Sequence, residues 1–580
     1  MNHESLRHAN GRTRGAIFGN LLLGLAVCAG ASAQDTEELP PDVAARVDAV
    51  FKLWNRDNTA GCAVSVARAG ETVYARGFGM AHLEQPAPIT PETIFEAGSV
   101  SKQFTASALV LLALDGKLSL DDPVQEYLPE LPDFGAPITI RHLLTHTSGL
   151  RTFRPLVALR GRPDGFAVHT NAEVLALMAR QRDLNFPPGE EYLYSNAPYI
   201  LSVVLAERVS GQSFNDFTTE RIFKPLGMTS TRWRDDFTQI VKGRATAYGS
   251  GRSGGLHTNM ANTEVFGNGG MLTTVGDLQR WNQELDEPKV LGQRFVDMLE
   301  TPGRFNDGSL SDYALGLGIG EYRGEREIAH SGGTAGYRAW LARYPDRDRL
   351  SLALLCNHGD INPVAVGHRV IDVFLGPADE AADAASPTPR VEVPLEDLER
   401  WADPYLHTHT DSIVRITVRG GALHFGAVRA TPLGEDRFAV GLSGLVVAFA
   451  KEEDGTRTAT LADDPKRLYR AMPAVTPTPQ ELAEYVGSYT SDELDVTYSV
   501  EFQDGKLLFR RPLDKPRTLE PLFRDAFELS DPLLERFPVR ALFATVVAWP
   551  ARFERDAAGR VTTLYISDSS RVRRLRFDRR

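Results

Sequence analysis

Between residues 60 and 375 the apolar positions switch between short strand-like runs and helix-length stretches. Cys62-Ala-Val-Ser-Val66 and Glu71-Thr-Val-Tyr-Ala-Arg-Gly77, separated by Ala-Arg-Ala-Gly, predict a hairpin. Helical patterns follow at 102–116, 172–182, 197–210 and 276–286, and strands return at 327–330, 337–344 and 350–356. Strands at both ends of a helical middle predict an α+β domain whose sheet is completed by the returning strands.

After residue 395 the pattern becomes alternation with tight turns. Val496–Glu501 and Lys506–Arg510 flank Asp504-Gly505, and Ala551–Arg555 and Val561–Ile566 flank a turn ending in Gly559. An earlier stretch echoes this one: Tyr405, Ile413–Val418, Gly420-Gly421, Ala422–Phe425 and Phe438 mirror Tyr489, Val496–Val500, Gly505, Leu507–Phe509 and Phe527. The repeat predicts two small antiparallel β-barrels. Two stretches, Gly376–Pro389 and Pro473–Pro479, lack aromatic or large aliphatic residues beyond a single valine and read as linkers. The expected domains are 34–376, 395–472 and 480–580, with linkers at 377–394 and 473–479.

The first 33 residues fall outside these patterns. Arg7, Arg12 and Arg14 precede an apolar stretch from Ala16 to Ala29, and Ala31-Ser-Ala33 has the form of a signal-peptidase site. The expected mature start is Gln34, with a periplasmic or secreted destination and no membrane span in the mature chain.

Composition narrows the picture. A chain of 580 residues with 42% hydrophobic and 24% charged residues has the make-up of a soluble, multi-domain protein. Its net charge is −12, and removing the leader, with three arginines and one glutamate, makes it −14. Nucleic acid is therefore not an expected partner. Two cysteines remain after the leader, Cys62 and Cys356, each inside a strand pattern; the expectation is two buried thiols, with pairing as the alternative. His142 and His146 stand four apart, but no glutamate or third ligand accompanies them, so they read as structural and no metal is expected. Gly251-Arg-Ser-Gly-Gly255 matches a nucleophile elbow in letters only, because its neighbours look like loop; Ser253 reads as a decoy.

The candidate chemistry starts at Ser99-Val-Ser-Lys102, just ahead of the apolar run Ala106–Leu114. Residues three apart share a helix face, so the segment can present a hydroxyl beside an amine. About one S-x-x-K match per chain is expected by chance, so the motif needs partners. Lysine is scarce here, ten against fifty-four arginines. Partners lie downstream. Tyr194-Ser-Asn196 follows a proline-rich turn; a tyrosine beside a cationic lysine ionises more easily, and the Asn196 amide can bond lysine or substrate. His330-Ser-Gly-Gly333 follows a strand, with glycines that let substrate approach its edge, and Gly267-Asn-Gly-Gly-Met271 is a permissive loop.

In this order and spacing, Ser-Val-Ser-Lys, Tyr-Ser-Asn and His-Ser-Gly resemble the signature motifs of the serine β-lactamase and penicillin-binding superfamily, in its class C-like branch. Asp115–Pro123, His142–Leu150 and Asn268–Thr273 resemble that branch too, so the likeness runs through about residues 45–375. The later barrels resemble the lipocalin-like barrels of D-aminopeptidases. The resemblance implies Ser99 as nucleophile and Lys102 with Tyr194 as the proton-transfer pair. It further implies the N–H groups of Ser99 and Gly333 as oxyanion hole, and Asn196, His330 and Gly332 at the substrate. Penicillin-recognising members carry lysine where this chain has His330, a residue mostly neutral near pH 7. The expected protein is a serine hydrolase cleaving a small peptide or amide through an acyl-enzyme, D-aminopeptidase-like, without cofactor. Alternatives are a carboxylesterase, a β-lactamase or D,D-carboxypeptidase, and a non-catalytic binder of cell-wall fragments. Self-association is a further expectation.

Overall fold

The computed structural model describes residues 39–580, apart from 163–166, 252–253, 377–392, 427, 441–444, 462–467, 512–514, 530–548 and 569–570. The expected leader, Ser253 and most of the expected first linker lie outside the described residues.

Six antiparallel strands form the central sheet: β1 (Cys62–Arg68), β2 (Glu71–Phe78), β3 (Gly318–Tyr322), β4 (Glu325–Thr334), β5 (Tyr337–Tyr344) and β6 (Leu350–Cys356). Their spatial order is β3-β4-β5-β6-β1-β2, so the N-terminal hairpin joins the sheet through its contact with the last strand. Period-two alternation gives the sheet two faces. Val64, Val66, Leu352 and Leu354 pack with Val366, Val370 and Ile371 on the outer side, under helices Pro41–Val50 (α1) and Pro363–Leu375 (α5). Ala63, Ala339, Ala353 and Leu355 turn to the other side, into the core shared with Ser101–Leu114 (α2), Ala197–Ser210 (α3) and Val275–Asp286 (α4). Small inward residues let those helices come close. Twelve of the fourteen residues of α2 are buried, which explains its nearly continuous apolar pattern.

Cys62 and Cys356 form a disulfide, with Cα atoms 4.0 Å apart, rather than the two thiols expected. The reason is register: β1 and β6 are neighbours, and Cys62 pairs directly with Cys356. Around the decoy, Tyr248–Ser250 and Leu256–Thr258 are two short paired strands rather than loop, and the segment between them has no following helix.

Both C-terminal regions are closed eight-stranded barrels of consecutive antiparallel strands. In the first, Tyr405 on the opening strand pairs with Ala471 on the last; in the second, Tyr489 pairs with Arg579. Both tyrosines are fully buried. The second barrel shares one continuous core with the sheet-and-helix domain, whereas the first keeps a core of its own around Trp401, Phe425 and Phe449.

Candidate active site

Ser99 sits in a single 3-10 turn, Gly98–Val100, that runs into α2. Gly98 makes the position possible. Its φ is +53°, and a Cβ there would stand 2.5 Å from the backbone nitrogen of Gly333. A Cβ on Gly332 would likewise stand 2.0 Å from the carbonyl oxygen of Ala97. Glycine at 98 and at 332 lets β4 lie directly against the turn that carries the nucleophile candidate.

Lys102, one helical turn on, is fully buried. Its Nζ lies 3.2 Å from Ser99 Oγ, 2.9 Å from Asn196 Oδ1 and 2.6 Å from the carbonyl oxygen of Asn268. Tyr194 comes from the other side and donates its hydroxyl to Ser99 Oγ at 2.8 Å. Ser99, Lys102, Tyr194 and Asn196 therefore meet, and the Gly267-Asn-Gly-Gly loop contributes a backbone acceptor.

Burial pushes the Lys102 amine well below its ordinary value, and the positive charges of Arg154 and Arg571 push it further down. Once deprotonated, the amine would keep two N–H groups for the two carbonyl acceptors and have one lone pair to turn to the Ser99 hydroxyl. The tyrosine differs from the sequence expectation. Burial raises its pKa above the ordinary range, outweighing the lowering by its bond to Ser99 and by the Arg571 charge. Its hydroxyl keeps its proton.

His330 is buried and held near a pKa of about 3, chiefly by desolvation. Its Nδ1 faces the Ser331 carbonyl at 2.6 Å and so must donate, which leaves Nε2, 2.9 Å from Tyr313 Oη, to accept. Both ring nitrogens are thus engaged inside the protein. The third motif presents backbone, rather than an imidazole nitrogen, beside Ser99.

Two further residues belong to this site. His146, which reads as structural from sequence, accepts from the Ser195 N–H through Nδ1 and lies among Tyr192, Tyr194, Tyr199 and Tyr313, its ring 4.3 Å from that of Tyr194. His142 caps its own helix by accepting from the Thr139 N–H. Arg571, from the turn before the last strand of the second barrel, places its guanidinium 5.5 Å from the centroid of the Tyr194 ring. Among the described residues, no cluster of His, Cys, Asp and Glu is arranged to hold a metal ion, and no helix is long and apolar enough to cross a membrane.

Residues 47–375 match the family model described as Beta-lactamase. This chain belongs to that family. Beyond the family domain, it is 27% identical over 518 residues to a D-aminopeptidase of Brucella melitensis, covering 87% of this chain and 92% of that one. It is 28% identical over 425 residues to penicillin-binding protein 4* of Bacillus subtilis, covering 69% of this chain and 92% of the other. An octameric penicillin-binding protein homologue from Pyrococcus abyssi shares the fold, with a TM-score of 0.51 and 24% identity over 79% of this chain and 95% of that one. The family domain holds Ser99, Lys102, Tyr194 and His330, while Arg571 comes from beyond it.

Proposed function

We propose that this protein is a serine amide hydrolase of D-aminopeptidase type, working through an acyl-enzyme on Ser99. One observation carries the reading: Ser99 Oγ is held between a fully desolvated Lys102 amine at 3.2 Å and a protonated Tyr194 hydroxyl at 2.8 Å. Lys102 takes the Ser99 proton through its lone pair as Oγ bonds to the substrate carbonyl. The N–H groups of Ser99 and Gly333 receive the oxyanion. Tyr194, released from its bond to Oγ, protonates the leaving nitrogen, and the amide bond breaks. The resulting phenolate is stabilised by the Lys102 ammonium, whose nitrogen lies 4.8 Å from the ring centroid. Water then gives a proton to Tyr194 and attacks the ester carbonyl; Lys102 returns its proton to Ser99. Asn196 and the Asn268 carbonyl keep the amine aimed throughout.

Similarity to a D-aminopeptidase over 87% of the chain supports amides over esters. The leader-like first 33 residues and the Cys62–Cys356 bond support an oxidising destination, periplasmic or secreted. Assembly into a homo-oligomer stays part of this reading.

The test is covalent. A serine-directed phosphonate is expected to label wild-type enzyme at Ser99, and Ser99→Ala to lose both the label and about 10⁴-fold or more in kcat on D-aminoacyl anilides. Undiminished turnover by Ser99→Ala would reject the mechanism. Running D- and L-aminoacyl anilides, nitrophenyl esters and nitrocefin on one sample ranks amidase against esterase and β-lactamase.

A further inference from the structure

The backbone of Arg571 is fixed to the segment that leads to Tyr194. Its carbonyl accepts from the Asn185 amide at 3.0 Å and from the Thr152 N–H at 3.4 Å. Asn185 Oδ1 in turn accepts from the Arg573 N–H at 2.8 Å, so this one side chain pairs with the barrel strand as a neighbouring strand would. Arg573 then reaches forward to Glu191 in a two-pronged ion pair, with distances of 3.0 and 2.9 Å. Deeper down, Arg151 is fully buried, pairs with Glu493 of the barrel at 2.6 Å and donates to the carbonyls of Arg573 and Arg574. The contacts from Asn185 and Glu191 hold the turn and the Tyr194 segment in one register, and Arg151 ties the same barrel to the domain beside it.

What that register delivers is a cation. The Arg571 side chain is exposed, lies against the Tyr194 ring and forms no ion pair among the described residues. Glu191, a nearby carboxylate, is already engaged by Arg573. In the proposed mechanism Tyr194 faces the leaving nitrogen, so the guanidinium beyond it stands on the leaving-group side. A guanidinium is a planar donor fork suited to a carboxylate. An aminopeptidase acting on a long or blocked peptide has no anion at this place, whereas a dipeptide with a free C-terminus has its carboxylate one residue beyond the cleaved bond.

We infer that Arg571, supplied by the second barrel, is a specificity-determining residue that binds the free carboxylate of the leaving amino acid, so that the substrates are short peptides with an unblocked C-terminus. The inference rests on the serine hydrolase reading above.

The experiment compares a D-alanyl dipeptide bearing a free carboxylate with the same dipeptide as its C-terminal amide, using the full-length chain. Wild type is expected to prefer the free acid by about tenfold in kcat/KM, mainly through KM, as one charge-assisted contact allows. Arg571→Gln should bring that ratio close to one, and Arg571→Lys should keep part of it. A wild-type ratio near one overturns the inference. So does an equal loss on both substrates in Arg571→Gln, which would make the residue a positioning group for Tyr194. Turnover of neither dipeptide by an enzyme that still takes the phosphonate on Ser99 also overturns it, while leaving the hydrolase reading standing. Absence of labelling on Ser99 removes the hydrolase reading itself. Melting temperatures of the two variants separate misfolding from altered recognition.

Discussion

The first barrel, residues 404–471, and the second, 487–579, close alike, each with eight antiparallel strands and a buried tyrosine on the opening strand. Their surroundings differ. The first packs Trp401 on Phe449 inside its own core, and its described ion pairs across domain lines, Arg415 with Glu528 and Asp411 with Arg552 and Arg574, run to the second barrel. The second merges its core with the hydrolase domain, buries Arg151 against Glu493, and places Arg571 against Tyr194. Equal architecture thus carries unequal roles. The barrel fold supplies a stable scaffold, and in only one of the two does a turn place a described side chain against the Tyr194 ring.

The contrast can be broken most sharply at Arg151. Replacing it by Met leaves Glu493 buried without its cation, and breaking such a pair costs about 3–5 kcal/mol. Arg151→Met is expected to lower unfolding stability in urea and to depress kcat/KM together, because the docked turn loosens. A large loss of stability with normal turnover would show that the second barrel does not shape the site.

The matching perturbation in the first barrel is Phe449→Ala. Emptying that core position costs about 3–5 kcal/mol of stability, yet kcat/KM of the folded enzyme is expected to stay within about twofold of wild type, the scatter of a remote, independent site. A parallel fall in turnover would erase the distinction between the barrels.

The finest test is the pH profile. In the proposed mechanism Lys102 acts neutral, so kcat/KM is expected to rise with pH as the amine loses its proton and to fall again when Tyr194 ionises, above the ordinary tyrosine range. Arg571 lowers both pKa values by its charge. Removing that charge in Arg571→Gln raises both, so the whole bell is expected to move to higher pH. With its pKa near 3, His330 adds no limb between pH 5 and 9. A limb near pH 6.5 that disappears in His330→Gln would contradict this.

Much of the fold was legible because periodicity reflects burial. The helix at 197–210 and the strands at 337–344 and 350–356 lie where the pattern placed them. The strand carrying His330 runs further than the expected 327–330, over 325–334, because Ser331, Gly332 and Gly333 stay paired with Trp340, Ala339 and Arg338. Of the site, the three short motifs were readable from residue types and order. Arg571 was not: nothing in the sequence links one arginine among fifty-four to a tyrosine in another domain. The protonation state of Tyr194 was misread for a related reason, since the desolvation that governs it arises from packing. The disulfide was hidden in the same way, because strand adjacency is a property of topology.

That disulfide has a topological consequence. Cys62 and Cys356 stand 294 residues apart, and Ser99, Lys102, Tyr194 and His330 all lie between them. Residues 62–356 therefore form a covalent ring, with α1, α5 and the two barrels attached outside it. A single proteolytic nick anywhere in the ring opens it without producing two separable pieces, so Ser99 and Tyr194 stay tethered until the disulfide is reduced.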